Sequence, residues 1–290
     1  MRAFAYERPT HLDDALALLI EHGPAARPLA GGTDLIIRLR DGSIRPRVVV
    51  DLKRIAELVG EIRETDGGLT IGAATVMTDI AADERIRRDY EALAEAASVV
   101  GSVQIRNRAT LAGNICNASP AADTSPALLV FGATVVATGP AGPRRIPIDE
   151  FFVRSGVTTL ARDELVSAIQ LPRPAGPWGV VHARRTRRRG HDLASVTLAC
   201  AVLESGVTRL AYGSLGPRPL LVTDETGVLA DPAAPDGVKM ARLEALFTGA
   251  SPSPRSMRAS PEYRVAMLHV LGLRAVATAI ERLARRTVPG

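Results

Sequence analysis

The chain has 290 residues, is 46% hydrophobic and carries a formal net charge of +5, which favours a globular protein of two domains or one large domain. Its two cysteines, Cys116 and Cys200, exclude an internal iron–sulfur cluster held by about four thiolates and a zinc site of the CxxC type. The sequence lacks a run of about eighteen uncharged apolar residues and a secretory signal, so we expect a cytoplasmic protein without a membrane span.

The opening third of the chain is predicted to mix helices and strands. Thr10 and Asp13 form a capping-box-like start to a helix over 11–22, and Gly23 ends it. The elements expected next are a strand over 27–30, a glycine turn, a helix from Leu35 to Gly42, strands over 48–52 and 69–73, and one or two helices within 79–100.

Strands dominate the prediction from Ala127 onward. The apolar runs that predict them lie within 127–138, 164–172 and 178–186, followed by a hairpin of 193–203 and 207–215. The proline-rich stretch 173–177 is the predicted domain boundary. Two helices are expected at the end, one over 237–247 and a long one with Ser260 as N-cap and Pro261 in its first turn.

A glycine turn, LAGGTDL at 29–35, follows the first predicted strand. Gly31 and Gly32 can adopt backbone conformations in which consecutive N–H groups converge on an anion such as a diphosphate, with Thr33 adding a hydroxyl. Asp34 would repel a phosphate, so we expect it to cap the helix or to hold the turn through backbone N–H groups. The alternative is an ordinary turn in which glycine provides tightness.

The most informative segment is IRNRATLAGNICNASPAADTSP at 105–126, because small and polar residues replace the bulk expected of a packed core. One interpretation is a loop around a nucleotide cofactor, in which Gly113 permits close contact while Thr110, Asn114 and Asp123 reach phosphate, ring or ribose groups. The other is a long ordered loop whose polar side chains bond its own backbone.

Several other functions lack their sequence signals. The motifs GxGxxG, GxxxxGK[ST], HExxH and GxSxG are absent, and the histidines form no metal-spaced pair, so we expect no metal ligands and name no catalytic residue. The arginine run 184–189 invites a nucleic-acid interpretation, but aromatic residues make up only 3% of the chain. We therefore expect the run to be a solvated face or a contact with an acidic partner, and expect no nucleic acid.

The chain resembles the flavoprotein, or medium, subunit of the molybdenum hydroxylases, the family of xanthine dehydrogenase and carbon monoxide dehydrogenase. The likeness spans nearly the whole chain, and the motifs that carry it are LAGGTDL at 29–35, LTIGAAT at 69–75, QIRNRATLAGNICNASPAADTSPAL at 104–128, DELVSAIQLP at 163–172, RRRGHDLASV at 187–196 and SPEYRVAML at 260–268. Position 112 is alanine where relatives often have glycine, and Arg184 stands where many have lysine.

The resemblance implies an α+β fold: a vanillyl-alcohol-oxidase-type (PCMH-like) FAD-binding domain of two α+β subdomains, then a C-terminal antiparallel sheet with helices. We expect the FAD-binding domain over 1–174, with subdomains of about 1–55 and 56–174, and the C-terminal domain over 178–290. The residues expected to bind FAD are Leu29, Ala30, Gly31, Gly32, Thr33, Asp34, Leu35, Ile71, Gly72, Ala73, Ala109, Thr110, Leu111, Ala112, Gly113, Asn114, Ala122, Asp123, Leu165, Val166 and Arg184.

The resemblance also implies an electron-transfer function. FAD would receive electrons from [2Fe–2S] clusters on a small subunit, which obtains them from a large molybdenum-cofactor subunit, and would pass them to NAD+, oxygen or another acceptor. We expect a dimer of heterotrimers, with the molybdenum cofactor and the clusters on the partner subunits. The alternatives are a stand-alone FAD-dependent oxidase or dehydrogenase of a small organic substrate and a non-catalytic scaffold that docks a partner through the arginine run.

Overall fold

The computed structural model describes residues 2–188 and 190–287. Its helices are α1 Leu12–His22, α2 Leu35–Asp41, α3 Met77–Ala82, α4 Glu84–Asp89, α5 Glu91–Ser98, α6 Val103–Arg106, α7 Leu111–Cys116, α8 Thr124–Phe131, α9 Ile148–Phe151, α10 Asp236–Leu246 and α11 Pro261–Thr287. Short 3-10 helices lie at Gly23–Ala25, Leu52–Arg54, Ala56–Leu58 and Phe247–Gly249.

The strands are β1 Ala5–Glu7, β2 Ala26–Leu29, β3 Val48–Asp51, β4 Ile62–Thr65, β5 Gly68–Gly72, β6 Thr134–Gly139, β7 Gly142–Pro147, β8 Phe152–Arg154, β9 Val157–Thr158, β10 Leu165–Pro172, β11 Trp178–Arg185, β12 Val196–Leu203, β13 Thr208–Gly213 and β14 Leu220–Asp224. They form a parallel sheet of order β1-β3-β2, an antiparallel sheet of order β4-β5-β10-β6-β7, an antiparallel sheet of order β11-β12-β13-β14, and the pair β8-β9.

Residues 2–51 contain the predicted helices and strands α1, β2, α2 and β3, together with strand β1, which the sequence analysis did not predict. Buried residues of α1 recur at helical spacing and pack on the parallel sheet, whose central strand β3 is buried along its whole length. The predicted capping box is wrong, because the N-cap is His11 and makes no side-chain hydrogen bond. The end at Gly23 is confirmed, since its N–H bonds to the carbonyl oxygen of Leu19.

Helix α8 corrects the strand expected at its position. All residues of Thr124–Phe131 are buried, and the helix ends at Gly132 with φ +67°. It packs against β12, β13 and β10. A helix buried on every side shows no amphipathic period, so its apolar run could not be distinguished from a buried strand.

The aromatic cluster of Tyr90, Phe131 and Trp178 joins α8 to β11 and to the end of α4. Ring centroids are 5.3 Å apart for Tyr90 and Phe131 and 5.1 Å apart for Phe131 and Trp178. The phenol of Tyr90 donates to Pro172 O at 2.8 Å, and the indole of Trp178 donates to Asp89 O at 2.8 Å. Buried aromatic polar groups thus keep hydrogen-bond partners while their rings fill the core.

Helix α11 covers the sheet of β11 and β12. Among the described residues it is the helix long and apolar enough, by length and composition, to cross a membrane, and its packing on the sheet accounts for its apolar stripe. The predicted N-cap is consistent with the contact of Ser260 Oγ, which accepts from the Tyr263 N–H at 3.2 Å. At the other end, Gly179 of β11 lies against the backbone of Ala279.

Replacing Gly179 by alanine should destabilise the protein, because a Cβ there would lie 1.7 Å from Ala279 O. We expect the free energy of unfolding to fall by about 3 kcal/mol, the upper range of overpacking. Urea unfolding followed by Trp178 fluorescence measures it. Gly237→Ala is the matched control, since a Cβ there meets open space. Equal unfolding free energies of Gly179→Ala and wild type would contradict this contact.

A buried carboxylate, Asp224, ties β14 to the segment that follows it. It accepts hydrogen bonds from Thr226 Oγ1 at 2.6 Å, from the Leu229 N–H at 3.0 Å and from Arg242 Nε at 2.8 Å. Burial alone would raise the pKa of Asp224, but these hydrogen bonds outweigh burial and lower it.

Stability should depend on pH through Asp224. Because its pKa in the folded chain is below the unfolded value of about 3.9, its contribution is fully present above about pH 5 and is lost as the pH falls through the folded pKa. We expect Asp224→Asn to cost about 3 kcal/mol at pH 7 and to flatten the loss of stability below pH 5. Urea unfolding at several pH values tests this. The control Asp66→Asn, at an exposed position, should give the wild-type dependence of unfolding free energy on pH. If the curve for Asp224→Asn were parallel to that of wild type, Asp224 would not be the source of the pH dependence.

Candidate functional site

The first glycine turn lies between β2 and α2 and approaches the second predicted segment. A Cβ on Gly31 would lie 2.0 Å from Arg108 O, so glycine alone permits this contact of two backbones. Gly32 has φ +78°, and a Cβ there would lie 2.8 Å from Leu29 Cδ1. Gly31 therefore sets the distance between the two segments, while Gly32 sets the shape of the turn.

The second segment is helical where a loop was expected. Helices α6, α7 and the start of α8 occupy it, and Thr110 is the N-cap of α7, accepting from the Gly113 N–H at 3.0 Å. An ideal Cβ on Gly113 would lie 3.8 Å from the Cβ of Ala30. The two predicted segments are thus brought together at Ala30 and Gly113.

Asp34 binds across this contact and does not act as expected within its own turn. It makes no side-chain capping bond, and its Oδ1 accepts from Asn117 Nδ2 at 3.1 Å. Asn117 Oδ1 in turn accepts from Arg38 Nη2 at 2.8 Å. The interpretation of Asp34 as a helix cap or turn brace is wrong, because its carboxylate connects the turn to the end of α7.

Polar side chains deeper in the segment bond one another. Asn114 Oδ1 accepts from Thr124 Oγ1 at 2.6 Å. The remaining predicted residues here are largely packed inward: Ala109, Leu111, Ala112 and Ala122 are buried. The interpretation that small residues replace a packed core in this segment is therefore wrong, because Ala109 and Ala112 belong to a densely packed core.

Asp123 and Arg184 form a buried ion pair. Arg184 Nη1 donates to Asp123 Oδ2 at 2.6 Å and to Val99 O at 3.1 Å, and Nη2 donates to Asp192 O at 3.3 Å. Side-chain exposure is 8% for Asp123 and 14% for Arg184. The other carboxylate oxygen, Asp123 Oδ1, is buried without a hydrogen-bond partner among the described residues.

Arg184 thus differs from the rest of the arginine run. Arg185, Arg187 and Arg188 are exposed, as expected of a solvated face, and Arg189 lies outside the described residues. Arg184 precedes them in β11 and points into the protein. Arg184 is therefore the residue of this run that contacts the candidate site, through Asp123.

The two remaining predicted contacts, 71–73 and Leu165 with Val166, lie on the neighbouring strands β5 and β10. The Ala73 N–H donates to Ser167 O at 3.1 Å, and β10 has a bulge between Val166 and Ala168. A cavity of about 290 Å³ beside them is lined by Gly72, Ser167 and Ala168 together with residues of 56–63.

Sequence reasoning missed Val99 and His182. Val99 supplies a carbonyl oxygen to Arg184, and His182 Nε2 lies 3.4 Å from Asp123 Oδ1. The histidine could have been found, because it is two positions before Arg184 in a predicted strand and alternate residues share a face. Nothing in the sequence marks Val99, whose contribution comes from its backbone.

The candidate site fits a dinucleotide. Gly31, Gly32, Thr33 and Asp34 have backbone N–H groups that donate no hydrogen bond to any described residue. Such a turn offers converging donors to a diphosphate. The unpartnered Asp123 Oδ1 offers a buried acceptor.

Comparison with known proteins identifies the family. Residues 2–174 match the family described as the FAD binding domain in molybdopterin dehydrogenase, and residues 182–279 match the CO dehydrogenase flavoprotein C-terminal domain. The xanthine dehydrogenase FAD-binding subunit of Escherichia coli O157:H7 is 34% identical over 95% of this chain and 96% of its own. The carbon monoxide dehydrogenase medium chain of Hydrogenophaga pseudoflava is 30% identical over 97% and 98%.

Solved structures agree with these relatives. A structure of carbon monoxide dehydrogenase from Hydrogenophaga pseudoflava aligns with a TM-score of 0.89 and 30% identity, covering 97% of this chain and 98% of that one. The fold and the family matches together define an FAD-binding subunit of an oxidoreductase. The chain belongs to the family of FAD-binding flavoprotein subunits of the molybdenum hydroxylases. The predicted family, fold class and FAD cofactor are confirmed.

Gly31→Ala should weaken FAD binding, because its Cβ would push the first turn away from Arg108 O. We expect the dissociation constant for FAD to rise at least about tenfold, which corresponds to about 1.4 kcal/mol. Titration of the FAD-free chain, read by flavin fluorescence, measures it. Gly67→Ala, where a Cβ meets open space, is the control. Unchanged affinity in Gly31→Ala would mean that this contact does not shape the FAD site.

Proposed function

We propose that FAD is held by the predicted set of residues on 29–35, 71–73, 109–114, Ala122, Asp123, Leu165, Val166 and Arg184. The observation that carries this proposal is the free N–H groups of 31–34, held against the second segment through Gly31 and Arg108 O. Hydrogen bonds to a charged acceptor contribute roughly 1.5 to 3 kcal/mol each, so several of them anchor a diphosphate without a lysine.

Asp123 and Arg184 would act on the sugar or ring end of the cofactor. Asp123 Oδ1 would accept a hydrogen bond from a hydroxyl or N–H group of FAD. A buried carboxylate oxygen without a hydrogen-bond partner lowers stability, so such a donor would be favourable here. Arg184 keeps a permanent positive charge nearby. FAD, when bound, supplies the electron-transfer chemistry, and the chain contributes binding, orientation and charge.

The chain would be the electron-transfer subunit of a heteromeric molybdenum hydroxylase. It would accept electrons from [2Fe–2S] clusters on a small subunit, next to a large subunit with the molybdenum cofactor, and pass them to NAD+, oxygen or another acceptor. The names of its relatives, an FAD-binding subunit and a medium chain, support a place within a larger complex. We propose a dimer of heterotrimers in the cytoplasm.

We also propose the domain division of the sequence analysis, with an FAD-binding domain over 1–174 and a C-terminal domain over 178–290. The smaller of two clusters of buried hydrophobic residues supports it, since it lies between the sheet of β11–β14 and the last helices, around Cys200 and Leu268. The larger cluster, which includes Leu111 and Phe131, extends across the boundary to Trp178 and Ala199.

The test compares the purified chain with the complex reassembled from its partner subunits. We expect the isolated chain to carry about one FAD and to oxidise no organic substrate, while the complex reduces an electron acceptor when its substrate is supplied. Turnover by the isolated chain would favour the stand-alone oxidase or dehydrogenase. A chain that binds no FAD would favour the scaffold.

A further inference from the structure

We propose that His182 is a positioning residue for Asp123, holding its carboxylate in the orientation that receives FAD. The inference rests on the proposed placement of FAD at Asp123 and Arg184. It concerns a side chain that neither the motifs nor the arginine run singled out.

His182 is fixed on three sides. It is on β11 two residues before Arg184, so both side chains point to the same face, and its side chain is 3% exposed. Its backbone N–H donates to Glu95 Oε2 at 2.8 Å. Ring atom Nε2 lies 3.1 Å from Thr197 Oγ1 and 3.4 Å from Asp123 Oδ1.

The chemistry of the neighbours assigns the proton on this ring. An ionised carboxylate oxygen accepts hydrogen bonds and cannot donate them, so an imidazole nitrogen beside it is favourable when it carries hydrogen. We therefore assign the proton to Nε2, which lies 3.4 Å from Asp123 Oδ1, an oxygen that makes no hydrogen bond to any described residue. Thr197 Oγ1, which is buried, lies 3.1 Å from the same nitrogen, so in this tautomer it is the nearer acceptor of an N–H shared with Asp123 Oδ1.

Arg184 and His182 together define the plane of the carboxylate. Arg184 binds Oδ2, and the His182 N–H faces Oδ1. Without the imidazole, the carboxylate is free to rotate about its Cβ–Cγ bond and to place both oxygens on the guanidinium, the geometry that arginine favours. Oδ1 would then be turned away from FAD.

The first experiment measures FAD affinity of the full-length chain by titration, with the visible circular dichroism of the bound flavin as a second readout. We expect His182→Leu to raise the dissociation constant roughly tenfold, as for one hydrogen bond to a charged group. It should also change the flavin dichroism. His182→Gln, which keeps an N–H donor, should bind within about threefold of wild type. His191→Leu, on the exposed part of the same segment, should match wild type.

A double-mutant cycle separates positioning from packing. If His182 acts through Asp123, His182→Leu should have no further effect on FAD affinity in the Asp123→Ala background. Equal effects in both backgrounds would overturn the proposal, as would full affinity and an unchanged spectrum in His182→Leu. If Asp123→Ala binds too little FAD to titrate, the same cycle is measured by urea unfolding of the FAD-free chains. Additive effects of His182→Leu and Asp123→Ala on the free energy of unfolding would then overturn the proposal.

Failure of the proposed FAD site gives a different result. Asp123→Ala with unchanged FAD affinity would mean that FAD does not bind at this carboxylate. Weaker binding in Asp123→Ala together with normal binding in His182→Leu would retain the site and reject the role of the histidine.

Discussion

The candidate site depends on one buried ion pair, between Asp123 and Arg184. Arg184 comes from β11, Asp123 from the segment that leads into α8, and the carbonyl oxygen of Val99 from the end of α5. Charges taken out of water are stable when each finds its partner and its remaining hydrogen bonds. Removal of either partner would leave an uncompensated buried charge, so the pair fixes the relative positions of three distant stretches of chain.

Other contacts also connect α5, β11 and the segment before α8. Glu95 accepts from the His182 N–H at 2.8 Å and from Arg282 Nη2 at 2.6 Å, which connects α5 to β11 and to α11. The Ser214 N–H donates to Pro120 O at 2.6 Å. Ser214 has φ +69° and Ala118 has φ +46°, unusual for residues other than glycine. Both lie where the segment before α8 contacts other parts of the chain, since Ser214 donates to Pro120 O and Ala118 O accepts from the Gly156 N–H.

Local signals predicted most of the secondary structure. The end of α2 at Gly42 and the start of α11 at Pro261 follow from single residues with specific backbone demands. The sequence did not distinguish α8 from a strand, because burial on all sides removes the period that separates the two. The predicted capping box is wrong, because α1 begins after His11 without a side-chain capping bond.

The parts of the site that depend on local sequence could be predicted, and the parts that depend on contacts between distant residues could not. Glycine turns and unusual composition are local signals, so 29–35 and 105–126 could be found in the sequence, and the structure brings them together at Ala30 and Gly113. Side-chain partners separated by many residues are not local, so the Asp123–Arg184 pair could not be derived from spacing, whereas the spacing of His182 and Arg184 in a predicted strand places both on one face. The resemblance placed Arg184 near the flavin, but its geometry required the structure.

The small residues of 105–126 have two functions that the sequence did not separate. They were interpreted as room for a ligand, yet Ala109, Ala112 and Ala118 are buried members of the main core. Their size lets the segment pack densely and brings it against the turn at 29–35, where the N–H groups of 31–34 donate to no described residue. The same substitution here therefore acts on stability and on cofactor affinity together. At Asp123, His182 and Arg184 side-chain polar atoms and not backbone volume make the site, and there the loss of one ion-pair partner lowers stability through the buried charge that it leaves.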